Sequence, residues 1–134
     1  MPIDIIVKHC SPTLAGIKTA NLFSYRYKDR KNLILEVREL NNVLLKKGLR
    51  MLVVRLNTEK DFPHEIGLFL GYPPEDVEGF IRNKAQNYLS QGLWKVYGDT
   101  KKAEALFARY KSCQIEYYDR LYHGSSLEEL IVAG

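Results

Sequence analysis

The chain is poor in the residues that most often do chemistry. Its 134 residues include two cysteines, three histidines, two methionines and one tryptophan. Cys10 and Cys113 lie far apart and make no disulfide framework, so reduced thiols are expected. A structural metal site needs three or four ligands at short, paired spacings. His9, His64, His123 and the two cysteines show no such pairing, although His9-Cys10 could in principle be completed by His64 and Glu65; no metal and no cofactor are expected. No apolar run approaches the ~20 residues that span a bilayer. The first residues, MPIDIIVK, lack a basic segment and a small-residue cleavage site, so no membrane is expected and the reading is cytoplasmic. There is no Gly-x-Ser-x-Gly elbow and no Gly-x-x-x-x-Gly-Lys-Ser/Thr loop, which removes two large enzyme classes. His64-Glu65 would need a histidine at position 68 to start a zinc-protease helix, and Leu68 stands there.

What is present is ordinary for a globular chain: 46% hydrophobic and 27% charged residues, with a formal charge of +4. One domain over 1–134 is expected from that length. Basic clusters at Arg26–Lys31 and Lys46–Arg50 permit an acidic partner. The overall charge nevertheless disfavours a dedicated nucleic-acid binder.

Local patterns predict the elements. In HCSPTLAG, Ser11 and Pro12 suit the N-cap and first position of a short helix. NLFSYRY (21–27) reads as an aromatic strand. Apolar residues from Leu33 to Leu45 recur at helical spacing, predicting a helix over 31–47 closed by Gly48. LRMLVVRL (49–56), EIGLFLG (65–71) and GLWKVYG (92–98) read as strands. A helix follows Pro73-Pro74, with Glu75 and Asp76 in its first turn. The longest helix runs from Thr100 to Tyr122, Gly124 stops it, and Ser125 or Ser126 caps a short terminal helix. From Asn21 the order is β-α-β-β-α-β, which predicts an α+β, ferredoxin-like domain with a four-stranded, mainly antiparallel sheet and a long C-terminal helix. Phe23, Tyr25 and Tyr27, with Phe69 and Trp94 or Tyr97, would share one sheet face, the arrangement that RNA-binding sheets use for base stacking. An edge strand left open could pair two chains into a homodimer.

The stretches CSPTLAGIKTANLF, FPHEIGLFLGYPPEDVEGFI, GLWKVYGD and ALFARYKSC together resemble the bacterial family catalogued as domain of unknown function 3793. The resemblance brings no reaction, because the family has no assigned activity. It implies that Cys10, Pro12, Thr13, Gly16 and Lys18, then Pro63, His64, Glu65, Gly67, Gly71, Tyr72 and Pro73, then Trp94, Lys95, Tyr97 and Cys113, belong to a shared pattern.

Three functional expectations follow. The first is a non-enzymatic domain that binds a small molecule or a protein through Lys18, His64, Glu65, Lys95 and Tyr97. The second is an enzyme or redox-linked protein. There His64 would be a general acid or base oriented by Glu65, and Cys10 a thiol with its pKa lowered by a helix start. The third is a nucleic-acid module using the aromatic sheet face.

Overall fold

Two long helices from opposite ends of the sequence meet along their lengths. The computed structural model describes residues 1–53 and 66–132. Helix α1 is Ile3–Leu14 and helix α5 is Thr100–Tyr122; between and after them come α2 (Arg30–Lys46), α3 (Ile66–Phe69), α4 (Pro74–Arg82) and α6 (Leu127–Leu130). Ile6, Val7 and Leu14 of α1 pack with Cys113 and Tyr117 of α5, Leu44 of α2, and Leu127, Leu130 and Ile131. Each such buried aliphatic side chain stabilises the fold by roughly 1.5–3 kcal/mol. The backbone N–H of Val132 donates to the carbonyl of Leu14 (2.9 Å), tying the last described residue to the end of α1.

The expected ferredoxin-like four-stranded sheet is not present among the described residues, which are mostly helical rather than α+β. Among the described residues the regular strands are β1 (Ser90–Gln91) and β2 (Lys95–Val96), an antiparallel pair with Ser90 opposite Val96 and Gln91 opposite Lys95. Of the four segments read as strands, 92–98 contains β2, and the other three have found other partners where they are described. In 21–27, Phe23 and Tyr25 are half-buried and Leu22 and Arg26 exposed, so the alternation is real. However, among the described residues no neighbouring backbone pairs with the segment; it is held by Thr13, whose hydroxyl donates to Asn21 Oδ1 (2.6 Å), and by His9, whose ring stacks on Phe23 at 5.1 Å. Residues 49–53 lie beside α2, where Asn41 takes the place of a neighbouring strand. Its Oδ1 accepts from Met51 N–H (2.8 Å) and its Nδ2 donates to Met51 C=O (3.0 Å). The remainder of that predicted strand, 54–56, lies outside the described residues.

The third segment, from Ile66, turns into α3 instead. Tyr72 N–H donates to Gly67 C=O (2.9 Å), and Gly71 at φ +83° closes the turn in a conformation side chains resist. Gly67 is buried, and a Cβ there would press on Val77 and Tyr72. Helix α1 also differs from expectation, since it starts at Ile3 and passes through Ser11-Pro12. Proline has no N–H to give the carbonyl four residues back. That carbonyl, of Lys8, instead accepts from Gln114 Nε2 on α5 (2.8 Å). Contact with α5 thus compensates for the break.

Helices α2, α4, α5 and α6 stand where the periodicity puts them. Asp29 caps α2 by accepting from Lys31 N–H, and Gly48 has φ +80°. Pro74 opens α4, Asp99 caps α5, and Ser126 with Glu129 forms a capping box on α6. A second core joins the hairpin to α5 through Trp94, Val96, Ala103 and Tyr110, with Tyr72 and Phe107 against it.

Candidate functional site

The turn after α1 carries Lys18. Gly16 takes φ +73°, and the N–H groups of Ile17 and Lys18 both donate to Pro12 C=O (3.0 and 3.2 Å), folding the chain back sharply. The Lys18 ammonium sits 5.5 Å from the Tyr72 ring centroid and 5.6 Å from that of Tyr110. Tyr72 in turn stacks on Trp94 at 4.7 Å. Beside Lys18 is a cleft of about 260 Å³ lined by Gly16, Ile17, Lys18, Thr19, Gly71 and Tyr110. Gly71 leaves the mouth open: a Cβ there would lie 3.8 Å from Lys18 Cγ and 3.9 Å from Thr19 Oγ1.

Burial governs the charges here. It lowers the pKa of Lys18, with the neighbouring Cys10 pulling it partly back. It pushes the Cys10 thiol up to about 11, against the pull of Lys18. Burial also raises Tyr72 and Tyr110. At neutral pH the thiol and both phenols are therefore protonated, and Lys18 supplies the charge. The described residues contain three ion pairs, Met1–Glu36, Glu78–Arg82 and Asp119–His123, and none includes Lys18. Two ring faces at this range supply ~0.5–2 kcal/mol of attraction each. They stabilise the ammonium without neutralising it.

Cys10 is not at a helix start. It lies in the second half of α1, so the positive helix end expected to lower its pKa is not beside it, and desolvation dominates. Lys95 and Tyr97 belong to a different neighbourhood. Lys95 Nζ donates to Ala85 C=O (2.7 Å) and lies 4.9 Å from the Tyr88 ring, and Tyr97 Oη donates to Gln86 C=O (2.9 Å). Together they hold the connection after α4, where Lys84, Ala85 and Asn87 all have positive φ. His64 and Glu65 lie outside the described residues. Among the described residues no three His, Cys, Asp or Glu side chains gather as metal ligands. With no sheet of more than two strands among the described residues, the aromatic face expected for stacking bases does not form there: Trp94 is buried and Phe23 packs on His9.

Sequence reasoning missed Asp76. Its position predicts a first-turn acid, and it is one, but it is also 2% exposed and holds the hairpin. Oδ2 accepts from Trp94 Nε1 (2.8 Å), and Oδ1 accepts from the N–H of Tyr97 (2.9 Å) and of Gly98 (2.8 Å). These fix Trp94, and through it Tyr72 behind Lys18. Tyr110 and Thr19 were missed as cleft residues too; the only signal for Tyr110 was its place on the buried stripe of α5.

A helical protein with a small hairpin, carrying one lysine-centred cleft, is what these observations define. The chain belongs to the family described as "Protein of unknown function (DUF3793)", whose pattern matches residues 38–131, well over half its length. Gly71, Tyr72, Trp94 and Tyr110 fall inside that span, and Cys10 and Lys18 precede it. No curated protein and no solved structure matches the chain. Among the described residues no helix is long and apolar enough to cross a membrane.

Proposed function

We propose that this chain is a binding protein that holds a small anion, of a few heavy atoms, in the cleft at Lys18. The observation that carries the reading is a half-buried ammonium facing a cleft with no carboxylate beside it among the described residues. An anion accepting from that ammonium forms a charge-assisted hydrogen bond of the stronger kind, ~1.5–3 kcal/mol. Thr19 and Tyr110 add hydroxyl groups to the lining, and the size of the cleft favours a compact ligand. A cytoplasmic setting accords with two cysteines that remain unpaired.

The test is an amide NMR titration with phosphate, acetate and succinate. Saturable shifts concentrated at 16–19 and 71, abolished by Lys18→Met and kept in weakened form by Lys18→Arg, are expected. Shifts that are absent at tens of millimolar, or that persist unchanged in Lys18→Met, would sink the reading.

A further inference from the structure

Ile115 and Tyr122 on α5 are 62% and 88% exposed, although α5 is the helix around which both cores are built. They lie opposite the buried stripe of Tyr110, Cys113 and Tyr117. The same outer face continues toward the N-terminus through Ala105, Ala108 and Ser112, all exposed. From Ala105 to Tyr122 these positions, with Asp119, alternate in steps of three and four, the spacing of a helix–helix seam. The small residues fill the first half of the seam and the large apolar ones the second. Charge is divided the same way. Lys101, Lys102, Arg109 and Lys111 outnumber Glu104 in the first half, and Glu116 and Asp119 outnumber Arg120 in the second. A helix dipole favours the reverse order, so this division gives an isolated α5 no advantage.

We propose that this face of α5 is the interface of a homodimer, paired antiparallel with α5 of a second copy about a two-fold axis near residues 113 and 114. In that register the Tyr122 ring of one chain lies over Ala105 of the other, Ile115 meets Ser112, and Asp119 meets Ala108, so large side chains fall on small ones. The flanking positions then place Arg109 opposite Glu116 of the second copy, twice by symmetry, and Lys111 beside its Tyr118. Within one chain Arg109 and Glu116 are seven residues, ~10 Å, apart on the helix and cannot pair. Neither is in an ion pair among the described residues. Sliding the register by seven residues in either direction brings Arg109 onto Arg109 or Glu116 onto Glu116. A parallel pairing would set the two Asp119 carboxylates against each other in the seam. Eighteen residues make a contact of about 27 Å, toward the small end of stable interfaces, so association in the micromolar range is expected. This inference is independent of the anion cleft, which opens on the other side of α5 at Tyr110.

Sedimentation equilibrium from 5 to 500 µM tests it, with circular dichroism confirming that each variant is folded. The wild type should rise from the 15.5 kDa monomer toward twice that mass. Arg109→Glu and Glu116→Arg, each alone, should weaken association at least tenfold, and the double reversal should restore it. A wild type that remains monomeric at 500 µM, or single reversals that associate like wild type, would overturn the interface. Failure of the double reversal to recover would overturn the antiparallel register, because in parallel chains the reversed charge at 109 would oppose Glu104 and the one at 116 would oppose Lys111.

Discussion

At the scale of single residues, Asp76 carries more than any other polar side chain described. One buried carboxylate satisfies three donors from a hairpin about twenty positions away. Asp76→Ala should cost about 3 kcal/mol, since it leaves the indole N–H and two backbone N–H groups without an acceptor. Urea unfolding followed by Trp94 fluorescence would measure this. A loss below 1 kcal/mol would mean that water replaces the carboxylate. Its first-turn position was legible in the sequence, because proline followed by acids is a local signal. Its partners were not, since nothing in the order of residues says that Trp94 and Gly98 return to it. Lys18 was legible as a candidate only through the resemblance of the stretch CSPTLAGIKTANLF, which lies ahead of the residues the family model matches; Tyr110, which completes its cleft, is indistinguishable in sequence from any other residue on a buried stripe.

At the scale of elements, helices with caps and 3.6-residue spacing were readable, and so was β2 inside 92–98, but the strand readings of 21–27, 49–53 and 66–71 were not borne out. The alternation of 21–27 and 49–53 is a property of half-buried extended chain, whether or not another strand lies alongside. Asn41 shows how one side chain can substitute for a ladder. Helix α4 tests packing against propensity. Gly79 lies inside it, and alanine is worth about 1 kcal/mol more than glycine in a helix. A Cβ at 79 would overlap Cβ and Cγ of Tyr97, which is anchored through its hydroxyl to Gln86. Overpacking costs ~1–3 kcal/mol, so after the propensity gain Gly79→Ala should lower stability by up to about 2 kcal/mol overall. A rise in Tm would show that α4 and the hairpin are less tightly joined than their geometry indicates.

For the whole molecule, the consequence of burying the Lys18 neighbourhood is a pH dependence. Cys10, Tyr72 and Tyr110 are held above their ordinary values. Each therefore contributes stability that is complete below its ordinary pKa and lost as pH rises through the raised one. For Cys10 that window runs from 9.0 to about 11. Lys18, held below 10.5, acts in the opposite sense, because the folded state gives up its proton first and gains stability as pH rises toward that value. Cys10 alone predicts a loss of about 2 kcal/mol above pH 9, to which Tyr72 and Tyr110 add and against which Lys18 acts. Urea midpoints at pH 7.5, 9 and 10.5 should fall in the wild type and fall less in Cys10→Ala; equal slopes would mean that the thiol is better hydrated than its surroundings suggest.

The hydrogen bond from Gln114 to Lys8 has a consequence for synthesis. A ribosome delivers α1, with its proline-broken carbonyl and the apolar face of Ile6, Val7 and Leu14, before its partners on α5, which follow about a hundred residues later. At ~5–20 residues per second that interval lasts on the order of 5–20 s. During it α1 has Leu44 of α2 to pack on, but not Cys113, Tyr117 or the Gln114 amide. Helix α1 is thus completed only when α5 emerges, and until then its half-covered apolar face is exposed to chaperones and proteases.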